Sequence, residues 1–173
     1  MFSKKREVMF KIRKMLNEDW SAVRAIYCEG LATGQATFET AAPSWESWNS
    51  NHLPLARLIA TDYDGNGVAG WAALSPVSTR SVYSGVAEVS VYVAQENRGQ
   101  GVGKALLERL VEETEKHDIW TLQASIFPEN TPSIAIHKAC GFREVGIRES
   151  IGKLNGVWRN TVLLERRSRV SGK

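Results

Sequence analysis

The spacing of apolar and polar residues changes repeatedly along the chain between two periods. Short blocks or alternating positions of apolar residues predict strands at residues 8–12, 57–61, 68–74, 88–93, 121–127, 142–147 and 159–164. Apolar residues three and four positions apart predict helices from residue 17 to about 30–34, from residue 44, and at 102–117 and 131–139. The predicted order is βααβββαβαββ, which is typical of a mixed sheet flanked by helices.

Local signals mark the ends of several of these elements. Ser44 is a candidate N-cap, residues 62–67 have the composition of a turn between two strands, and Gly141 is a candidate C-cap. We expect an α/β (α+β) fold with a central sheet of about six to seven mostly antiparallel strands and about four helices.

Composition is that of an ordinary globular protein. The chain has 173 residues, 43% hydrophobic and 24% charged, enough for one domain with a substantial core. We expect a single domain over residues 1–173 with polar tails at about 1–7 and 166–173. Apolar segments fall short of the ~20 residues that cross a bilayer, and no apolar core follows the charged start. The expected location is the cytoplasm, with no membrane contact.

Charge and metal-binding residues exclude some functions. The net charge of +3 is a weak argument for nucleic acid and suits a small anionic ligand equally well, so no nucleic-acid partner is expected. The two cysteines, Cys28 and Cys140, are too few for a disulfide framework and are expected to be buried thiols. The three scattered histidines have no metal-ligand spacing, so no metal is expected.

A glycine-rich loop lies between the clearest strand and the clearest helix. Its sequence is Arg98-Gly99-Gln100-Gly101-Val102-Gly103-Lys104. Glycines let a ligand approach the backbone, and a helix start offers unpaired N–H groups, so the loop favours phosphate or pyrophosphate. Neither a P-loop nor the Gly-x-Gly-x-x-Gly dinucleotide motif fits the spacing. A ligand-free turn is the alternative.

The pattern Arg98-x-x-Gly101-x-Gly103 resembles the coenzyme A pyrophosphate loop of the GCN5-related N-acetyltransferases, the GNAT superfamily. The resemblance covers roughly residues 11–165 and includes Asn130-x-x-Ser133-x-x-x-His137-Lys138-x-x-Gly141-Phe142. Segments 37–40, 80–83, 88–93 and 156–160 are similar to the phosphinothricin and methionine sulfoximine acetyltransferase group.

This resemblance implies acetyl-CoA as co-substrate. The strand at 88–93 would splay from its neighbour, and its backbone at Val91, Tyr92 and Val93 would pair with the pantetheine arm. The pyrophosphate would be held by Arg98, Gly99, Gln100, Gly101, Val102, Gly103 and Lys104. Further residues expected beside the cofactor are Asn130, Ser133 and Ala139, the last by proximity only, since relatives often carry a polar side chain there.

Two residues are candidates for the proton transfers. Glu88 lies among apolar neighbours and would act as base toward the ammonium form of the acceptor, directly or through water. The alternative is an edge-strand glutamate facing solvent. His137 matches the group's pattern and can serve as acid or base; the alternative is an ordinary polar residue on a short helix.

The acceptor site is expected in two loops. Phe38 and Glu39 would shape one wall, and Arg80, Ser81, Val82 and Tyr83 the other, with Arg80 as a fork for an α-carboxylate. The sequence is equally compatible with Arg80 as a solvated arginine in a loop, with no role in binding. Of the six tryptophans, Trp71 or Trp158 could touch the acceptor. An acidic cleft would favour a cationic acceptor, and the sequence shows no acidic cluster around Phe38 or Tyr83.

The resemblance implies an N-acetyltransferase that acts on the α-amine of a small amino acid or analogue, such as phosphinothricin, methionine sulfoximine or methionine sulfone. The alternatives are a GNAT that acetylates another amine (a protein N-terminus, a polyamine or an aminoglycoside) and a non-catalytic acyl-CoA sensor. By analogy we expect a homodimer, with a sheet edge near the C-terminal strands as the interface.

Overall fold

The computed structural model describes residues 10–173 and confirms the predicted order of elements. The strands are β1 (Phe10–Lys14), β2 (Leu58–Asp62), β3 (Val68–Pro76), β4 (Val86–Val93), β5 (Thr121–Ile126), β6 (Arg143–Leu154) and β7 (Val157–Arg167). The helices are α1 (Trp20–Ala32), α2 (Trp45–Asn51), α3 (Val102–Glu115) and α4 (Thr131–Ala139). Residues 8 and 9 of the first predicted strand, and the predicted tail at 1–7, lie outside the described residues.

All seven strands form one mixed sheet in the order β1-β2-β3-β4-β5-β7-β6. Neighbouring strands are antiparallel except β4 and β5, which are parallel. A parallel pair needs a crossover, which α3 supplies. The glycine-rich loop therefore lies at the carboxyl end of β4, where the crossover begins.

Helices cover both faces of the sheet, and this explains the continuous apolar stretch of β3. On one face, Leu106 and Leu110 of α3 pack in a core with Leu74 of β3. On the other face, Tyr27 of α1 and Trp48 of α2 pack around Trp71. Successive β3 residues thus serve opposite cores, as the two-residue period of a strand requires.

The last two strands form a hairpin longer than the sequence predicted. Its turn is Asn155-Gly156, with φ of 49° and 81°, the left-handed conformation at both central residues that a type I′ hairpin needs. The mostly polar residues 148–153 concealed the strand, because β6 is the exposed edge of the sheet. An Asn-Gly pair between strands was the available signal.

Two smaller expectations differ from the structure. Residues 166–173 are not a loose polar tail: Ser168 and Ser171 are buried, and the Arg167 guanidinium donates to the carbonyl oxygens of Ser168 and Ser171 at 2.7 and 2.9 Å. The buried-thiol expectation is wrong for Cys28, which is exposed, and Cys140 is half-buried. Cys28 follows Tyr27 on the outer side of α1.

No helix within residues 10–173 is long and apolar enough to cross a membrane.

Candidate functional site

The sheet opens between its two parallel strands. β4 and β5 pair only from Val86 to Glu88, opposite Thr121 to Gln123, whereas β5 pairs along its whole length with β7 on its other edge. On the other side of β4, the Ala94 N–H donates to Ala69 O at 2.8 Å. Antiparallel alternation then directs the N–H and C=O groups of Val91 and Val93 into the opening. The splay expected from the resemblance is present.

A groove of about 660 Å³, here called the loop groove, begins at this opening and continues along the glycine-rich loop. It brings together most of the residues predicted beside a cofactor: Val91, Tyr92, Val93, Arg98, Gly99, Gly101, Val102, Gly103, Lys104, Asn130 and Ser133. Gln100 and Ala139 do not line it. The Gln100 amide donates instead to Glu96 O at 2.8 Å, and Ala139 is exposed on the last turn of α4.

The backbone of the glycine-rich loop is open to a ligand. Gly99 and Gly101 have φ of 74° and 86°, and a Cβ built on either would have no heavy atom within 4 Å. Gly101 is the N-cap of α3 and no side chain caps it, so the first N–H groups of the helix are available for an anion. A Cβ at Gly103 would lie 3.2 Å from Val93 and from Ile136, so this glycine permits close packing.

A second cavity of about 320 Å³, here called the inner cavity, adjoins the groove and shares Val91, Tyr92, Asn130 and Ser133 with it. The structure brings the two candidate proton-transfer residues together here, Glu88 from β4 and His137 from α4. Phe38 and Glu39 from the loop between α1 and α2 also line it. A small cavity that adjoins a long groove suits a small molecule meeting a larger one.

Glu88 is half-buried on a central strand and is not an edge-strand residue. Its carboxylate accepts a hydrogen bond of 2.8 Å from the Gln123 amide. Gln123 stands opposite Glu88 in the parallel register of β4 and β5, so the last paired position before the splay fixes the carboxylate. Sequence reasoning missed Gln123.

His137 is 3% exposed, and its Nδ1 lies 2.7 Å from Ser133 O. A carbonyl oxygen only accepts, so Nδ1 carries the proton and Nε2 keeps its lone pair. Burial lowers the pKa of His137 below its ordinary value, so the imidazole is neutral at pH 7. In this state it can accept a proton at Nε2.

The walls of the inner cavity differ in part from expectation. Phe38 packs edge-on against Phe127, with ring centroids 4.9 Å apart. The four residues of segment 80–83 are all exposed and line neither the groove nor the inner cavity. Ser125 of β5 and Thr161 of β7 contribute to the lining.

Neither candidate tryptophan lines the inner cavity or the groove. Trp71 is fully buried and stacks on the ring of Tyr92, with centroids 4.7 Å apart and planes 11° apart. It therefore supports Tyr92 from the core. Trp158 is 58% exposed on the hairpin, with the Lys153 ammonium 4.7 Å from its ring centroid.

The charges in the inner cavity are negative. Glu39 and Glu88 both line it, and its lining includes no Lys or Arg. The sequence had indicated no acidic cluster around Phe38, because Glu88 is fifty positions away and joins Glu39 only through the fold. Within residues 10–173, no group of three or more His, Cys, Asp or Glu side chains is placed to hold a metal ion.

The chain belongs to the acetyltransferase (GNAT) family, whose family model matches residues 12–142. It is 34% identical over 161 residues to the phosphinothricin N-acetyltransferase of Alcaligenes faecalis, which covers 90% of this chain and 81% of that relative. The chain is therefore a GNAT N-acetyltransferase.

Two solved structures extend the similarity. A GNAT superfamily phosphinothricin acetyltransferase from Sinorhizobium meliloti, in complex with acetyl-CoA, has a TM-score of 0.80 at 30% identity, covering 91% of this chain and 88% of that chain. The ribosomal-protein-alanine N-acetyltransferase from Brucella melitensis has a TM-score of 0.83 at 28% identity, covering 91% and 99%. The first structure supports acetyl-CoA as the co-substrate.

Proposed function

We propose that this enzyme transfers the acetyl group of acetyl-CoA to the α-amine of a small amino acid or analogue of the phosphinothricin, methionine sulfoximine or methionine sulfone type. The observation that carries the proposal is the inner cavity. Its volume of about 320 Å³ suits a molecule of that size, and it holds Glu88 and His137 beside the open backbone of β4. The relative from Alcaligenes and the neighbour from Sinorhizobium are both phosphinothricin acetyltransferases, which supports the same class of acceptor.

In the proposed reaction, both substrates are bound together and the amine attacks the thioester directly. The acceptor arrives as an ammonium ion, and Glu88 removes a proton, directly or through one water molecule. The amine nitrogen then forms a bond to the thioester carbon while the carbon–sulfur bond breaks. The coenzyme A thiolate leaves with the electron pair. Backbone N–H groups at Val91 or Val93 would stabilise the developing oxyanion.

We propose that His137 acts as a second proton acceptor. Its neutral form, with the proton on Nδ1 held by Ser133 O, has no proton on Nε2 to give to the thiolate. His137 can protonate the leaving sulfur only after it has accepted a proton, for example the second proton that the attacking nitrogen loses. His137 can therefore act as an acid only after it has acted as a base, an order of steps that the sequence pattern alone did not indicate.

On the resemblance alone, we propose that Arg80 binds the acceptor carboxylate when the acceptor is present, although Arg80 lines neither the inner cavity nor the loop groove in this structure. Its side chain is exposed, with the guanidinium carbon 5.5 Å from the ring centroid of Tyr83. We expect Arg80→Met to raise KM about tenfold for an amino-acid acceptor, because a charge-assisted hydrogen bond is lost. KM for the matching α-amide, which lacks the carboxylate charge, should be unchanged. Arg109→Met, on the exposed face of α3, is the control. An equal effect on acid and amide would contradict the assignment.

A second candidate acceptor is an amine without a neighbouring carboxylate. Two carboxylates and no Lys or Arg line the inner cavity, which favours a cationic group over a zwitterion. The Brucella neighbour, by its name, acts on a protein alanine. Polyamines, aminoglycosides and peptide N-termini belong to this class of acceptor.

Thiol release from acetyl-CoA distinguishes the candidates. The panel contains phosphinothricin, methionine sulfoximine, methionine sulfone, ordinary amino acids, spermidine, an aminoglycoside and a short peptide with N-terminal alanine. Release with the first three alone supports the amino-acid acetyltransferase. Release only with spermidine, the aminoglycoside or the peptide overturns it in favour of the second candidate. Acetyl-CoA binding without release across the panel favours the non-catalytic sensor.

We also propose that the enzyme is a homodimer that uses the edge of its sheet at β6. Five large apolar residues are exposed on the β6–β7 hairpin: Val145, Ile147, Ile151, Val157 and Trp158. Exposed apolar residues beside an unpaired sheet edge are typical of an interface. Sedimentation of the wild type and of Ile147→Lys tests the proposal; a monomeric wild type would overturn it.

A further inference from the structure

The loop that follows α1 has a structural role beyond its two predicted acceptor residues. Residues 33–39, here called the acceptor segment, line the inner cavity with their second half and the loop groove with their first half. The segment is neither helix nor strand. Two of its amides bond only locally: Gln35 N–H donates to Thr33 Oγ1 and Glu39 N–H to Thr37 Oγ1, each at 3.1 Å. Its position must therefore be held from outside.

Arg159 of β7 attaches the first half of the acceptor segment to the sheet. Its Nη1 donates to Gly34 O at 3.1 Å, and its Nη2 donates to Gln35 Oε1 at 2.8 Å. The same Nη2 also lies 3.2 Å from Glu129 Oε2. The guanidinium carbon is 4.1 Å from the ring centroid of Phe127, and the side chain is 16% exposed. One planar group thus joins the segment to the end of β5.

Further contacts attach the segment at Gln35, Thr37 and Phe38. The Asn130 amide donates to Gln35 O at 3.2 Å while its oxygen caps α4 by accepting from Ser133 N–H. Phe38 rests edge-on against Phe127, the ring directly after β5 that Arg159 covers. Thr37 adds side-chain hydrogen bonds with Tyr27 and Tyr92. Without Arg159, these contacts alone would have to offset the entropy cost of ordering the segment.

We propose that Arg159 is a positioning residue for the acceptor site: it fixes the acceptor segment and thereby sets the shape of the inner cavity. The inference rests on the proposed function for its effect on catalysis. Arg159 lines neither the inner cavity nor the loop groove. It lines a third cavity of about 570 Å³ beside Gly34 and Gln35, so its effect on the inner cavity would pass through these two residues. A lysine would keep the charge but lose the planar fork that reaches both oxygens.

Hydrogen exchange tests whether Arg159 fixes the acceptor segment, and it needs no acceptor. In Arg159→Met, amides of peptides spanning residues 33–39 should exchange about tenfold faster, from the loss of charge-assisted hydrogen bonds. Amides of β3 and α3 should be unchanged. Arg143→Met is the matched control, since Arg143 is paired with Glu165 at 2.8 Å on the far edge of the sheet. It should leave the segment unchanged.

Steady-state kinetics test the consequence for the acceptor. Arg159→Met should raise KM for the acceptor about tenfold, with a smaller change in kcat, and Arg159→Lys should fall between it and the wild type. Gln35→Ala should produce part of the same effect. The double variant should be no worse than Arg159→Met alone, because the hydrogen bond that Gln35→Ala removes is already lost in Arg159→Met.

Unchanged exchange in the segment of Arg159→Met overturns the proposal. Faster exchange with an unchanged acceptor KM also overturns it, because Arg159 would then fix the segment without affecting how the acceptor binds. If Arg159→Met loses protection throughout the chain, Arg159→Lys and Gln35→Ala decide by the same two readouts. If no amine is acetylated, the proposed function fails while the exchange result still decides whether Arg159 holds the segment.

Discussion

Glu88→Gln should lower kcat by about 10²- to 10⁴-fold, the usual contribution of a positioned general base. Glutamine has the shape of glutamate but cannot accept a proton from an ammonium ion at neutral pH. Its side-chain oxygen can still accept the hydrogen bond that Gln123 donates at 2.8 Å, so the position of the side chain should be kept. Binding of acetyl-CoA, measured by calorimetry, should change little because Glu88 does not line the loop groove.

Glu39→Gln is the matched control for this prediction. Glu39 is a second carboxylate in the same inner cavity, so its replacement removes the same charge from the same space. It should alter acceptor KM far more than kcat. If Glu88→Gln retains kcat within about threefold of the wild type, Glu88 is not the base, and His137→Asn then tests Nε2 of His137 as the remaining acceptor.

Much of the fold could be predicted because each element carries its own local pattern. Leu106 and Leu110, four positions apart in α3, and the continuous apolar residues of β3 are both buried, so each element shows its burial in its own local sequence. The end of β6 could not be found in this way. As the sheet edge it is exposed along nearly all its length, so no apolar alternation distinguishes it from a loop.

The cofactor side of the site was predictable for a related reason. The glycine-rich loop is contiguous in sequence, so Gly99, Gly101 and Gly103 could be read together with the helix that follows. The acceptor side is assembled from the loop after α1 and from β4, β5, α4 and β7. The pairing of Glu39 with Glu88 in one cavity depends on strand order, which local patterns do not encode.

One missed residue did have a sequence signal. In β5 the polar residues Thr121, Gln123 and Ser125 alternate with the buried Leu122, Ala124 and Ile126. A polar face on a strand at the centre of a sheet predicts a cavity or a site beside that face. Arg159 lies in segment 156–160 of the resemblance, but its role had no signal, because its partners Gly34 and Gln35 are 125 and 124 positions away.

Gly101→Val should weaken acetyl-CoA binding by about 100-fold, for two reasons that add. A β-branched residue disfavours the left-handed conformation that Gly101 adopts at φ 86°, at a cost of about 1–2 kcal/mol. Its side chain would also occupy the open space beside the first N–H groups of α3, where the pyrophosphate is proposed to bind. Calorimetric titration with acetyl-CoA measures the affinity directly, whether or not the acceptor is known.

Gly65→Val separates backbone strain from loss of the binding site. Gly65 has φ of 78° and equally open surroundings, but it lies in the turn between β2 and β3 and lines neither the groove nor the inner cavity. It should cost a similar amount of stability and leave acetyl-CoA affinity unchanged. Gly101→Asn, which tolerates the left-handed conformation, should still weaken binding because its side chain enters the groove. Normal affinity in both Gly101 variants would show that the pyrophosphate lies elsewhere.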